Sequence, residues 1–132
     1  IASGVICSGV SIFAMALLFG LNHTQYVTLL PKSITTAIGI GLSAELDGYV
    51  AITVSAIIFT GLIGNIAGDL LCRILHIKHP IAKGIAIGTA THVMGTSKAM
   101  EVGEIEGAMS SLSVTVAGIM TVGASIIFQW WI

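Results

Sequence analysis

Gly84-Ile-Ala-Ile-Gly-Thr-Ala-Thr-His-Val-Met-Gly-Thr-Ser-Lys-Ala-Met-Glu101 is the stretch on which the reading of this chain turns. It lies in a sequence that is 55% hydrophobic and only 8% charged, with a mean hydropathy of +1.03. A soluble domain carries about 25% charged residues. Charge this sparse cannot clothe a water-facing surface, so the solvent is mostly lipid. Polar side chains inside hydrocarbon are costly. A run of Gly, Thr, Ser and His in such a setting therefore marks a site or a specific packing seam.

Outward from that stretch the chain divides by hydropathy. Residues 1–21, 48–71 and 107–131 each supply the roughly 20 mostly apolar residues that a membrane-spanning helix needs. The first ends at Asn22-His23-Thr24-Gln25, the second carries Asn65 and Asp69 towards its end, and the third finishes in Trp130-Trp131, a pair suited to a headgroup boundary. Between them lie Leu30-Pro-Lys-Ser-Ile-Thr-Thr-Ala-Ile-Gly-Ile-Gly-Leu-Ser-Ala-Glu-Leu-Asp47 and residues 81–102. Both are apolar enough to enter a membrane, yet short and interrupted by Gly, Thr and Ser. Discontinuous helices persist in a membrane only where protein or a water-filled cavity surrounds them, and in transporters such a pair often marks the substrate site. The expected fold is all-α: a polytopic transmembrane helical protein, residues 1–132 forming a single transmembrane domain, with two broken or re-entrant segments between about three full spans. The loop 73–83 holds Arg73, Lys78 and Lys83 without an acid, which places it in the cytoplasm by the positive-inside rule. Whether 81–102 crosses or turns back is open at this level.

Composition also excludes. A net charge of −1 gives no basic field for nucleic acid. Cys7 and Cys72 form no CxxC and read as small buried residues rather than a disulfide or metal site. His23, His76 and His79 lie in polar loops without the helical spacing of a metal motif. No cofactor, metal or catalytic constellation is expected. Gly61, Gly64 and Gly68 on one helix, and Gly107, Ser111 and Gly118 on another, read as small faces for close helix packing. The first apolar run has no basic n-region, and Ile1 is read as an internal start within a longer protein.

The polar residues themselves suggest a cavity. A helix over 81–102 puts Thr89, His92 and Thr96 on one face, with Gly84, Gly88 and Gly95 on an adjoining small face and Lys98 within reach of Glu101. The ordinary pKa of an imidazole lies near neutrality, which leaves proton coupling open. Pro31 followed by Lys32, Ser33, Thr35 and Thr36 reads as a helix N-terminus. Free backbone N–H groups, the Lys32 charge and three hydroxyls there would hold a small carboxylate; an ordinary helix start with Lys32 snorkelling to the headgroups is the competing reading. Asn65 would bond a neighbouring helix or border the site. Asp69 and Arg73 are spaced to pair, and Glu101, Glu104 and Glu106 to form a solvated turn.

These same residues carry a resemblance. Leu30-Pro31-Lys32-Ser33-Ile34-Thr35-Thr36 resembles the PKS-[VI]-TT motif of the LrgB/CidB proteins. Thr60-Gly61 through Gly64, with Gly68-Asp69-Leu70-Leu71, resembles their TG-x2-G segment. Ala82-Lys83-Gly84 to Gly88-Thr89-Ala90-Thr91-His92, then Gly95-Thr96-Ser97-Lys98-Ala99, is similar to their A-x-GxAxGTxxHxxGTx[KR]A signature, with Ala37 and Thr91 as mild departures. The likeness covers essentially the whole chain, as the C-terminal part of a longer member. It implies two functions: holin- or antiholin-like control of murein hydrolase activity and lysis beside a smaller LrgA/CidA-type membrane partner, or, from plastid relatives that carry glycolate and glycerate and bacterial members connected with pyruvate uptake, transport. The expectation is a bacterial inner-membrane, multi-pass and homo-oligomeric protein that carries a small monocarboxylate. The substrate would sit between Lys32–Thr36 and the Thr89/His92/Thr96 face. The alternative is a holin-like pore or regulatory component.

Overall fold

Length and hydropathy together separate three spanning segments from two hairpins. A computed structural model describes residues 1–130. In chain order the helices are α1 (Ala2–Phe19), α2 (His23–Leu29), α3 (Thr36–Glu45), α4 (Val50–Ile74), α5 (Pro80–Val102) and α6 (Glu104–Phe128). Three of them, α1, α4 and α6, are long and apolar enough to cross a membrane, close to the spans expected from hydropathy. Trp131, expected to close the last span, lies outside the described residues; Trp130 is exposed.

Local chemistry explains the boundaries. Gly20 ends α1 in the left-handed conformation, at φ 63° and ψ 39°, which only glycine adopts without strain. Asn22 and Gln25 cap α2 reciprocally: the Asn22 side chain accepts from the Gln25 backbone N–H at 2.9 Å, and the Gln25 side chain accepts from the Asn22 N–H at 3.0 Å. Pro80 occupies the first turn of α5, where a missing N–H costs nothing.

The decisive feature is His92. Its backbone stands at φ 46° and ψ −143° inside α5, a conformation that side-chain-bearing residues seldom adopt. The contacts on either side show that the chain reverses there. Before His92, Gly84 packs against Glu106 and Gly88 against Ser110 and Ser113, so this half runs parallel to α6. After it, Thr96 meets Ser110 and Met100 meets Gly107, so the second half runs antiparallel to α6. Residues 80–102 therefore form a re-entrant hairpin that enters and leaves at the end where α4 stops and α6 starts. The chain turns back rather than crossing.

The earlier interrupted segment forms a second hairpin. Gly48, just after α3, lies against Thr28 and Ser43, while Gly39 lies near the Pro31 carbonyl; α3 thus runs back along the path by which α2 and the turn at 30–35 descended. Thr53 on α4 ties this hairpin's open end together, donating to the Thr28 carbonyl at 2.7 Å with Ser43 Oγ also at 2.7 Å. This hairpin opens at the start of α4, and the other opens at its end. They enter from opposite sides. Ile57, in the first half of α4, touches both: its side chain packs on Gly39, and its carbonyl lies 2.9 Å from His92 Nε2. α1 runs opposite to α4, with Gly4 beside Thr89 of one hairpin and Ile12 and Ala16 clustered with Tyr26 of the other. A span and a hairpin thus occur twice, in opposite orientations, and α6 closes the set.

Glycine permits the closest approaches. A Cβ on Gly64 would overlap Thr91, and one on Gly88 would overlap the Ser110 carbonyl. Gly123 has nothing within 4 Å of where its Cβ would be. Gly88→Val is therefore expected to destabilise the protein by about 1–3 kcal/mol or more, the range of core overpacking, seen as a lowered thermal unfolding midpoint in detergent. Gly123→Ala is expected to leave the midpoint unchanged or raise it, since alanine is the better helix former.

Candidate functional site

The two hairpin tips meet at a cleft beside α1. A cavity of about 670 Å³ is lined by Ser3, Gly4, Cys7, Ser8 and Ser11 of α1, by Lys32 and Ser33 of the first tip, and by Ala86, Thr89 and Ala90 just before the second. A small enclosed space of about 20 Å³ next to it shares Ser8, Ser33 and Thr89 and continues towards Phe128. Ser8 lies six residues into α1, roughly 9 Å along its axis, and Thr89 nine residues into α5, roughly 14 Å. Against a hydrocarbon core about 30 Å thick, both lie well inside the helical layer.

Lys32 is the centre of this cleft. Its Nζ donates to Ser33 Oγ at 3.0 Å and to Ser8 Oγ at 3.3 Å, and the two hydroxyl oxygens lie 3.1 Å apart. Lys32 forms none of the chain's ion pairs among the described residues, and no carboxylate lines the cavity. Thr89 adds a hydroxyl oxygen that is buried and makes no hydrogen bond. This is unusual for a helical threonine, which ordinarily bonds the carbonyl four residues back; two residues on, Thr91 does so, donating to the Ile87 carbonyl at 2.6 Å. The cleft therefore offers one cation, hydroxyls from Ser8 and Ser33, and an unsatisfied Thr89 hydroxyl within otherwise apolar walls.

Two expectations about this region are corrected. The helix does not start at Pro31. Residues 30–34 form tight turns that end α2, with the Lys32 N–H bonded to the Leu29 carbonyl at 3.1 Å and the Ile34 N–H to the Pro31 carbonyl at 3.3 Å. α3 begins at Thr36 with Thr35 as its N-cap, and the Thr35 hydroxyl makes no capping bond. Pro31 suits the first turn of a helix, but here it continues the turn leaving α2. Thr35 and Thr36 are half-buried and stay out of the cavity lining that holds Lys32 and Ser33. Nor do Thr89, His92 and Thr96 share a face, because the reversal at His92 breaks the helical register between them. Thr89 faces the cleft. His92 is buried against α4 through the Ile57 carbonyl. Thr96 is buried against α6, donating to the His92 carbonyl at 3.0 Å with Ser110 Oγ at 2.8 Å. Asn65 reaches across from α4 and donates from Nδ2 to the Met94 carbonyl at 2.8 Å. His92, Thr96 and Asn65 thus hold the reversal, while Lys32, Ser33 and Thr89 border the cavity.

The serines of α1 were overlooked at the sequence level. Ser3, Cys7 and Ser11 recur every four residues with Ser8 beside them, a small polar stripe in an apolar span that points to this wall. Elsewhere, the two expected pairs, Asp69–Arg73 and Lys98–Glu101, are present, and a third that the spacing does not announce joins α5 to α4. Arg73 bonds Asp69 at 2.8 Å, Lys83 of α5 pairs with the other Asp69 oxygen, and Lys98 bonds Glu101 at 2.7 Å.

No solved structure matches the chain. It is 43% identical over 122 residues to "Antiholin-like protein LrgB" of Bacillus cereus strain B4264, an alignment covering 92% of this chain and 53% of the relative. The proteins of that name from Bacillus cereus strain AH187 and Bacillus anthracis strain CDC 684 / NRRL 3495 match to the same extent. The chain spans about half the length of these curated relatives. A family model described as the LrgB-like family matches residues 1–131, and with three apolar spans and this match the chain is a membrane protein that belongs to the LrgB-like family.

Proposed function

We propose that the protein carries a small monocarboxylate, of the pyruvate or glycolate type, across the bacterial inner membrane, with the carboxylate bound at Lys32. The observation behind this reading is the Lys32 ammonium, which faces a hydroxyl-lined cavity between two opposed hairpin tips without an acidic partner. A charged side chain inside a membrane is costly unless paired, and a substrate carboxylate supplies the pair. Ser8, Ser33 and the unsatisfied Thr89 hydroxyl are then the donors that orient it, each contributing about 0.5–1.5 kcal/mol as a neutral hydrogen bond. A site between opposed broken helices suits alternating access, in which one half rocks against the other. Proton coupling would involve a group at the cavity rather than His92, whose Nε2 is engaged with α4.

A second reading rests on the relatives' name, "Antiholin-like protein LrgB". Here the same architecture serves a regulatory component, acting on murein hydrolase activity and lysis with an LrgA/CidA-type partner or as a homo-oligomer. The two readings separate in proteoliposomes containing the full-length protein. A carrier gives saturable uptake of labelled pyruvate or glycolate that unlabelled monocarboxylates inhibit; a pore leaks unrelated solutes of similar size without saturation.

Within the carrier reading, the residues divide by their effects. Lys32→Gln removes a charge-assisted contact of about 1.5–3 kcal/mol and is expected to raise the half-saturation concentration roughly ten- to a hundredfold with an unchanged unfolding midpoint. Thr89→Val is expected to raise it severalfold. His92→Ala deletes the bond to α4, so a lowered midpoint in thermal unfolding is its expected signature. Unimpaired saturable uptake by Lys32→Gln protein would remove Lys32 from the site.

A further inference from the structure

A basic cleft lies at the end of the molecule where α4 stops and both helical arms of the α5 hairpin emerge. Its volume is about 330 Å³, and it is lined by Cys72, Arg73, His76, Ile77, Lys78, Lys83 and Glu106. Asp69 holds Lys83 and one side of Arg73. The remaining Arg73 N–H groups, Lys78 and His76 face outward, and Arg73 is 74% exposed. Opposite them stands a single acid, Glu106.

The cleft does not end at this charged mouth. It shares Cys72 and Ile77 with an apolar groove of about 420 Å³ that runs between α4 and the first half of α5, walled by Ile63, Leu71, Leu75 and Ile87. Its floor is recessed because Gly64 and Gly68 carry no side chain there. From Leu75 back to Thr60 the groove follows α4 for roughly 22 Å, more than the roughly 15 Å depth of one leaflet. A cationic mouth at a helix end, opening into a lipid-deep apolar channel, matches one kind of occupant. We propose that an anionic glycerophospholipid binds here, with its phosphate at Arg73, Lys78 and His76 and one acyl chain along the α4/α5 groove. Basic pockets at the ends of membrane helices recognise anionic headgroups in this way, and the apolar groove supplies what a free anion cannot use. The bound lipid would brace Lys83–Asp69, the pair that clamps the re-entrant hairpin to α4. The inference does not depend on the carrier reading, since no residue of the basic cleft lines the Lys32 cavity and the groove shares only Ala86 and Ala90 with it.

The test is native mass spectrometry of the full-length protein in detergent, titrated with palmitoyl-oleoyl phosphatidylglycerol or phosphatidylcholine, with and without inorganic phosphate. Wild type is expected to retain phosphatidylglycerol preferentially. Each basic side chain near an anionic surface contributes roughly fivefold, so Arg73→Gln with Lys78→Gln is expected to weaken that preference by roughly tenfold or more. Gly68→Leu fills the groove, and its Cβ finds only ordinary contact with Ile87, at 3.6 Å; it is expected to reduce retention of both lipids. Equal retention of the two lipids by wild type, or a preference that survives the double substitution, overturns the proposal. Undiminished retention in Gly68→Leu, together with displacement by inorganic phosphate, would assign the cleft to a free anion and overturn the lipid.

Discussion

Everything in this fold follows from one requirement: backbone polar groups inside a membrane must be satisfied by the protein itself. Reversing a chain within hydrocarbon breaks the helical ladder, and each unsatisfied group there costs several kcal/mol. At His92 the reversal also places a side-chain-bearing residue in a backbone conformation that costs of order 1–3 kcal/mol. Such a turn survives only if its surroundings over-determine it. They do so here through three bonds: the His92 ring to the Ile57 carbonyl, Asn65 to the Met94 carbonyl, and Thr96 to the His92 carbonyl. The first two come from α4 and the third from within the hairpin, with Ser110 of α6 fixing Thr96 in turn. The polar residues that stand out in the sequence are, for the most part, the means by which the tip is enclosed.

Enclosure demands close neighbours, which explains the glycines. Side chains on one helix can meet the backbone of the next only if the intervening Cβ atoms are absent. Gly64 admits Thr91, and Gly88 admits the Ser110 carbonyl and the Ser113 hydroxyl. Without a hydrophobic force between helices in lipid, such packing supplies much of the attraction. The same absence of side chains at Gly64 and Gly68 shapes the outward-facing groove beside α5. One small-residue face thus serves the hairpin along part of its length and leaves a lipid-sized recess along the rest.

Much of this was legible in the sequence because membrane solvation writes strongly. Spans show as length and hydropathy, and interruptions show as Gly, Thr and Ser, so the three spans and the two broken segments could be read from composition. The position of the reversal was not legible. A helical reading of 81–102 keeps Thr89, His92 and Thr96 in register, and no local signal in Thr91-His92-Val93 announces a turn, since there is neither Gly nor Pro at that point. The turn is imposed by contacts with α4 and α6, which are long-range information. The same holds at Pro31, where local propensity favours a helix start and the return of α3 past Pro31 and Thr28 decides otherwise. The Lys32–Ser8 contact was hidden for a different reason: serines in an apolar span look incidental until their partner is known.

The contrast between two lysines carries the argument about the site furthest. Lys83 and Lys32 both lie partly buried in the helical layer of a chain with few charges. Lys83 is neutralised by Asp69, and the pair fastens the hairpin to α4 at its open end. That is how this protein treats a cation whose work is structural. Lys32 receives only the hydroxyls of Ser8 and Ser33, which solvate an ammonium without cancelling its charge. In the same cleft, the Thr89 hydroxyl is buried and unbonded. Leaving both groups incomplete costs free energy, and in the carrier reading that cost is recovered when an anion with hydrogen-bond-accepting oxygens enters the cleft. A carboxylate meets both needs at once.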